Sequence, residues 1–290
     1  IVYLGNNEVT GPYGAGTVYN LPVGNVYAIR AGIALKGTRL GQLLAGFTNL
    51  IGGQKDTPKV WLGLEMFLNN HVQANSPALE AVYRNFQKNM EDLRCIASKS
   101  HSKIIFCTVG SNLKDSPPFA SLHRSDLNQA EMKKWEDFYR QGTERELQGD
   151  YSGAIERYLE SAKIDDRYAD LQFRLGRCYW ATAEYQNARE RYIRARELDT
   201  LRFRADTRIN KIIRDATSGK AAEGIYMIDA AKYLEKNSPY ETPGKELFYE
   251  HVHLNFKGNY ILAKTVFEQV EKILPSHLVK THGTDKRQLL

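Results

Sequence analysis

Residues 142–165 read GTERELQGDYSGAIERYLESAKID, and residues 176–199 read GRCYWATAEYQNARERYIRARELD. A shift of 34 positions pairs Gly142 with Gly176, Tyr151 with Tyr185, Ala154 with Ala188, Tyr158 with Tyr192, Ser161 with Ala195, Ile164 with Leu198 and Asp165 with Asp199. Self-similarity at one offset of this length marks stacked helical hairpins. The small residues fall where two antiparallel helices must approach closely, and the tyrosines fill the holes between them. GDY at 149–151 and AEY at 183–185 make the turns inside the hairpins. Two units are few for a stable stack, so Leu201 to Asp215 is expected to add a third, capping helix.

This pattern resembles the tetratricopeptide repeat. It departs from it in lacking the closing proline, whose place is taken by Asp166 and Thr200, and in having Phe138 near the usual tryptophan position. Such hairpins hold peptides or serve as structure, so a protein partner at the repeats is one reading of them.

Working outward, the flanks read as α/β. Ile1 to Leu4, Lys103 to Val109 and Gly224 to Asp229 are short apolar runs, rich in β-branched and aromatic residues, that suit buried parallel strands. Ahead of the second, Ser76-Pro77 supplies an N-cap and a first-turn proline to a helix carrying Leu79, Val82, Phe86, Met90, Leu93 and Ile96 on one face. After the third, Asn255 caps a helix presenting Leu262, Val266, Val270, Ile273 and Leu274 until Pro275 stops it. Less regular helical stretches, Leu21 to Gly53 and an apolar run from Val60 to Leu68 with Trp61, Met66 and Phe67, are expected to form a wall over the ligand edge of the sheet.

Composition narrows the function. The 290 residues carry a net charge of +6, but basic and acidic residues alternate almost everywhere, which gives solvated helix faces rather than a nucleic-acid stripe. No apolar run approaches the roughly 20 residues that span a bilayer, and no signal-peptide pattern precedes the first strand-like segment. Cys95, Cys107 and Cys178 sit in apolar patterns without metal-site spacing and read as buried free thiols. Because Ile1 already lies inside a strand-like run, a further segment upstream is expected, with any targeting information in it.

Two polar blocks sit at strand ends, where parallel sheets bind ligands. Gly5-Asn6-Asn7-Glu8 follows the first strand, and Glu250-His251-Val252-His253 precedes the last helix. In this order they resemble the third and fourth sequence blocks of the SGNH (GDSL-like) hydrolases, each with glutamate for aspartate, and more closely those members with a tetratricopeptide insertion. Ser111 to Phe119, SNLKDSPPF, is similar to a loop of such members. The resemblance implies a serine esterase-type site with no cofactor and no metal: His253 as base, Glu250 as its orienting carboxylate, and Asn7 with Gly5 on the oxyanion. A serine hydroxyl needs these groups to lose its proton, keep the base in one tautomer and stabilise the developing charge.

The serine block itself is missing. The best serine in the chain, Ser111 in Gly110-Ser111-Asn112, lacks a nucleophile elbow, so the nucleophile is expected upstream of Ile1 and residues 1–290 alone are expected to be inactive. Arg202, Arg204 and Arg208 are either substrate clamps for an anionic group or a solvated helix face. His251 and His253 without a third ligand read only weakly as a metal pair.

The expected architecture is a three-layer α/β/α parallel sheet, flavodoxin-like and incomplete at its N-terminus, from residues 1–130 and 217–276. The repeat insertion occupies 131–216 and a tail 277–290. The expected substrate is a small-molecule or glycan acyl ester. The rival readings are O-acyl transfer from the same residues and a non-catalytic protein-interaction module. Compartment and oligomeric state are not encoded in these patterns.

Overall fold

The computed structural model describes residues 1–19, 24–51 and 63–275. Strand β1 (Val2–Tyr3) is followed by helices α1 (Val26–Lys36), α2 (Arg39–Ile51) and α3 (Pro77–Lys99) and by β2 (Ile104–Cys107). Four helices come next: α4 (Gln129–Leu147), α5 (Tyr151–Ile164), α6 (Ala169–Ala181) and α7 (Tyr185–Leu198). The chain returns through α8 (Thr207–Thr217), β3 (Ile225–Ile228), α9 (Ala230–Lys236) and α10 (Phe256–Ile273). Residues 20–23, the stretch 52–62 with the expected Trp61, and the tail beyond 275 lie outside the described residues.

The three strands form a parallel sheet in the order β1-β2-β3, with Phe106 opposite both Val2 and Met227. Side chains alternate across a strand, and β2 shows the consequence. Phe106 packs into a cluster with Phe86 and Met90 of α3 and Ile209 and Ile213 of α8, whereas Ile105 and Cys107 pack on the opposite face beneath Leu262, Val266 and Val270 of α10. The fold is therefore α/β, with helices on both sheet faces. Among the described residues β1 pairs only with β2 and leaves its other edge open.

The helix starts follow from local chemistry. Ser76 Oγ accepts from Ala78 N at 3.2 Å, and Asn255 Oδ1 accepts from Gly258 N at 3.0 Å, satisfying donors that a first turn leaves unpaired. Of the expected helical wall, Phe67 packs edge-on to Phe203 at 5.2 Å, at the ligand edge beside His251, whereas the first helix lies elsewhere. That helix, α1, is tied along α3 by Val26 N donating to Asn85 at 3.1 Å and by Arg30 reaching Asn89 and Asp92, so it flanks α3 instead of roofing the Glu250–His253 loop.

In the insertion, the small residues sit where close approach requires them. A Cβ on Gly142 would come within 2.5 Å of the Tyr158 ring, and one on Gly176 within 2.8 Å of the Tyr192 ring. Ala154 and Ala188 are fully buried. Trp135, not Phe138, fills the first hairpin: its indole stacks on Tyr139 at 4.7 Å and donates to Asp165 O at 3.0 Å.

Two expectations are corrected. The helix after the repeats is not a cap on them, because α8 carries Ile209 and Ile213 on one stripe and buries both against α3 and the sheet. Asn210 fastens it there, accepting from Val109 N at 2.7 Å and donating to Val109 O at 2.9 Å. Of the three cysteines, Cys95 is exposed; only Cys107 and Cys178 are buried, and burial pushes their thiols up to about 11 and about 12.

Overpacking the hairpin seams should cost stability. Gly142→Ala and Gly176→Ala are each expected to destabilise the protein by about 1–3 kcal/mol, measured by urea or thermal melting. Unchanged midpoints in both would contradict this account of the seams.

Candidate functional site

The site begins with a turn. Beyond α9, Phe248 and Leu254 form an isolated bridge, with Tyr249 N donating to His253 O at 2.8 Å, so residues 249–253 are held as a closed loop just before α10. Inside it, Glu250 folds back on its own backbone. Its Oε1 accepts from Val252 N at 3.3 Å, His253 N at 2.6 Å and His253 Nδ1 at 2.6 Å. Its Oε2 contacts His251 Nδ1. One carboxylate thus serves two histidines.

Those histidines differ in environment. The His251 side chain is 14% exposed and sits edge-on to Phe119 at 4.9 Å. Burial above all lowers its pKa, with the nearby charges of Arg204 and His253 adding to the effect and Glu250 opposing it. The His253 side chain is 78% exposed. Desolvation raises the Glu250 pKa, but the backbone donors of His253 and Val252 and the neighbouring imidazoles outweigh it and hold the carboxyl below its usual range. An ionised carboxylate only accepts. The His253 Nδ1 therefore carries the proton in the neutral ring and leaves Nε2 with its lone pair, the tautomer a general base requires.

Support comes from the loop after β2. Asn112 N donates to His251 O at 3.0 Å, and Asn112 Nδ2 donates to Glu250 O at 3.1 Å. This loop is pinned in turn by Arg204, whose guanidinium donates to Asn112 O at 3.1 Å, Ser116 O at 2.8 Å and Asp199 Oδ2 at 3.0 Å. Arg202 is committed just as fully, to Val72 O, Glu197 O and Asp206. Both arginines are buried. Arg202 and Arg204, expected as substrate-binding residues, are thus buried with Nη1 and Nη2 on interior acceptors; of their guanidinium nitrogens only Arg204 Nε has no hydrogen-bond partner among the described residues. Arg208 lies on the surface, paired with Glu80.

The other block lies across the same segment. Gly5 has φ +145 and is packed so closely under α8 that a Cβ would sit 2.8 Å from Ile209, which gives this glycine a packing reason of its own. Asn6 Oδ1 accepts from Ala205 N at 3.0 Å, and the Phe203 ring centre is 6.1 Å from that of His251. Both blocks therefore meet segment 203–205. Asn7 is exposed, with its carbonyl accepting from Gly11 N at 2.7 Å. Among the described residues no hydrogen bond or ion pair joins Asn7 or Gly5 to Glu250 or His253.

Ser111 is buried, and its hydroxyl has no hydrogen-bond partner among the described residues, so no base is paired with it. Neither His251 as second partner of Glu250 nor Asn112 as the clamp on the loop follows from sequence; the one available signal was the likeness of the 111–119 segment. Among the described residues no group of three or more His, Cys, Asp or Glu side chains could hold a metal ion, and no helix is long and apolar enough to cross a membrane. No family model, curated protein or solved structure matches this chain.

His251 should show its burial in its titration. Followed by NMR, His251 is expected to titrate below the ordinary imidazole range and to move lower still in Glu250→Gln, because the charge that favours its protonated form is gone. An upward movement of His251 in that variant would contradict the assignment.

Proposed function

We propose that Glu250 and His253 are the acid–base half of a serine esterase-type site that hydrolyses carboxylic esters of small molecules or glycans. The observation that carries the reading is the 2.6 Å contact between Glu250 Oε1 and His253 Nδ1 on a ring that otherwise faces solvent. A hydroxyl nucleophile gains little from a free imidazole; it gains from one fixed in tautomer and orientation by a buried or hydrogen-bonded carboxylate.

In this reading the serine, expected upstream of Ile1 from the order of the sequence blocks, attacks the acyl carbon while its proton passes to His253 Nε2. Glu250 stabilises the imidazolium. The tetrahedral oxyanion is met by the Asn7 amide with the Gly5 N–H, and the intermediate collapses as His253 returns the proton to the leaving alcohol. Water then repeats the sequence on the acyl-serine and releases the acid. A sugar hydroxyl in place of that water would give O-acyl transfer by the same groups. Asn7 must reach the oxyanion from its exposed turn, so approach of Asn7 to His253 accompanies formation of the complete site.

The repeats serve this reading as a frame. Leu113, from the loop that clamps Glu250, is buried against Phe173, Ala188 and Tyr192 of the second hairpin. That hairpin therefore already holds a segment of its own chain, which favours a structural role over peptide capture.

Turnover of a short-chain nitrophenyl ester by the full-length protein tests the proposal. His253→Ala should lower kcat by at least about 10⁴-fold, and Glu250→Gln by about 10⁴-fold, with melting temperatures near wild type. Residues 1–290 alone should show only background hydrolysis. Wild-type kcat in His253→Ala would overturn the assignment.

A further inference from the structure

A cavity of about 260 Å³ opens at the carboxyl end of β2 between α7, α8 and α9, and none of Gly5, Asn7, Glu250 and His253 lines it. Its walls come from both halves of the molecule. Arg189 and Arg196 extend from α7 of the insertion, Arg214 from α8 of the sheet layer, Glu235 from α9, and Ser111 from the loop after β2.

The donors of this cavity are incompletely matched. Arg189 donates through Nε to Glu241 O at 3.1 Å and through Nη2 to Glu235 at 2.9 Å. Arg214 uses Nε and Nη2 on Asp229, at 2.9 and 3.0 Å. Arg196 uses Nη2 on Glu197 at 2.7 Å and on Thr207 Oγ1 at 3.0 Å. Each guanidinium is thereby oriented by one edge, while its Nη1 makes no hydrogen bond among the described residues. Two further donors are buried outright: the Ser111 hydroxyl, in a residue only 3% exposed, and Arg196 Nε, neither of which has a partner among the described residues.

Leaving a buried donor unmatched costs about 1–3 kcal/mol, so two of them on one cavity call for an acceptor there. Guanidinium forks match the planar and tetrahedral oxygens of carboxylate and phosphate; each of the three is already paired on one edge with a carboxylate, Glu235, Asp229 or Glu197, and it is the free Nη1 of each, with the two buried donors, that remains for an added anion. The volume falls below the roughly 300–1,000 Å³ of drug-sized pockets, which limits the ligand to a small group.

We propose that this cavity binds a small oxyanion, a phosphate or short carboxylate group, held by Arg189, Arg196, Arg214 and the Ser111 hydroxyl. Because α7 belongs to the insertion and α8 to the sheet, the bound anion links the two, and its occupancy raises the stability of the whole fold by mass action.

Isothermal titration of the 290-residue protein with inorganic phosphate, and separately with succinate, at constant ionic strength tests this. Saturable binding at one site is expected from at least one of them, and whichever binds names the ligand class. Ser111→Ala and Arg189→Gln should each weaken it about tenfold or more, while His253→Ala leaves it unchanged. Thermal melting of the same variants should show the ligand-dependent rise shrinking in parallel. Absence of saturable binding for both anions, or binding equal to wild type in Ser111→Ala and Arg189→Gln, would overturn the proposal.

Discussion

The buried pair of Arg204 and Asp199 is the contact on which the rest of the arrangement depends. Burial opposes both charges, raising the Asp199 pKa and lowering that of Arg204, while their mutual attraction and backbone donors oppose the shift. Asp199 accepts from Phe119 N, Ala120 N and Leu201 N as well as from Arg204, so its lone pairs are well matched. Arg204 meanwhile grips the carbonyls of Asn112 and Ser116, and Asn112 grips the backbone of Glu250 and His251. The end of the repeats is thereby connected, through one guanidinium, to the loop that bears the candidate base. Removing one partner of such a pair strands the other and costs roughly 3–5 kcal/mol.

The repeat explains why that pair exists at all. Asp165 is the counterpart of Asp199 one repeat earlier, and it also accepts from the incoming segment, through His123 Nδ1 at 2.9 Å and Arg124 N at 3.2 Å. Two carboxylates separated by 34 positions in sequence thus hold backbone only a few residues apart. Stacking of the hairpins brings them side by side, and residues 119–124 run along both. The insertion is fastened to the sheet layer by matched polar contacts along the loop that leads into it and by Leu113 seated in its second hairpin. These contacts fix the loop after β2 against the hairpins.

Much of this was legible in the chain because local rules generated it. The apolar run from Lys103 to Val109, the caps at Ser76 and Asn255, and the 34-residue offset each express a geometry that neighbouring residues impose on one another. What could not be read was the identity of distant partners. The stripe of Ile209 and Ile213 requires an apolar neighbour, but the pattern is the same whether that neighbour is α7 or α3, and packing chose α3 and the sheet. Arg202 and Arg204 in a polar stretch look like solvent-facing or ligand-facing charges; only the return of residues 72 and 112–116 to their side makes them interior. His251 and His253, two positions apart, are equivalent on paper. Phe119 covers the first, whereas the second stays largely exposed among the described residues, which separates a structural imidazole from a candidate base.

The account turns on whether His253 serves a serine nucleophile. Covalent labelling of the full-length protein with a fluorophosphonate, read by peptide mass spectrometry, addresses this without reference to any particular substrate. One adduct is expected, on the serine that His253 activates, and it should disappear in His253→Ala. An adduct on a serine within residues 1–290, or labelling undiminished by loss of His253, would contradict the account.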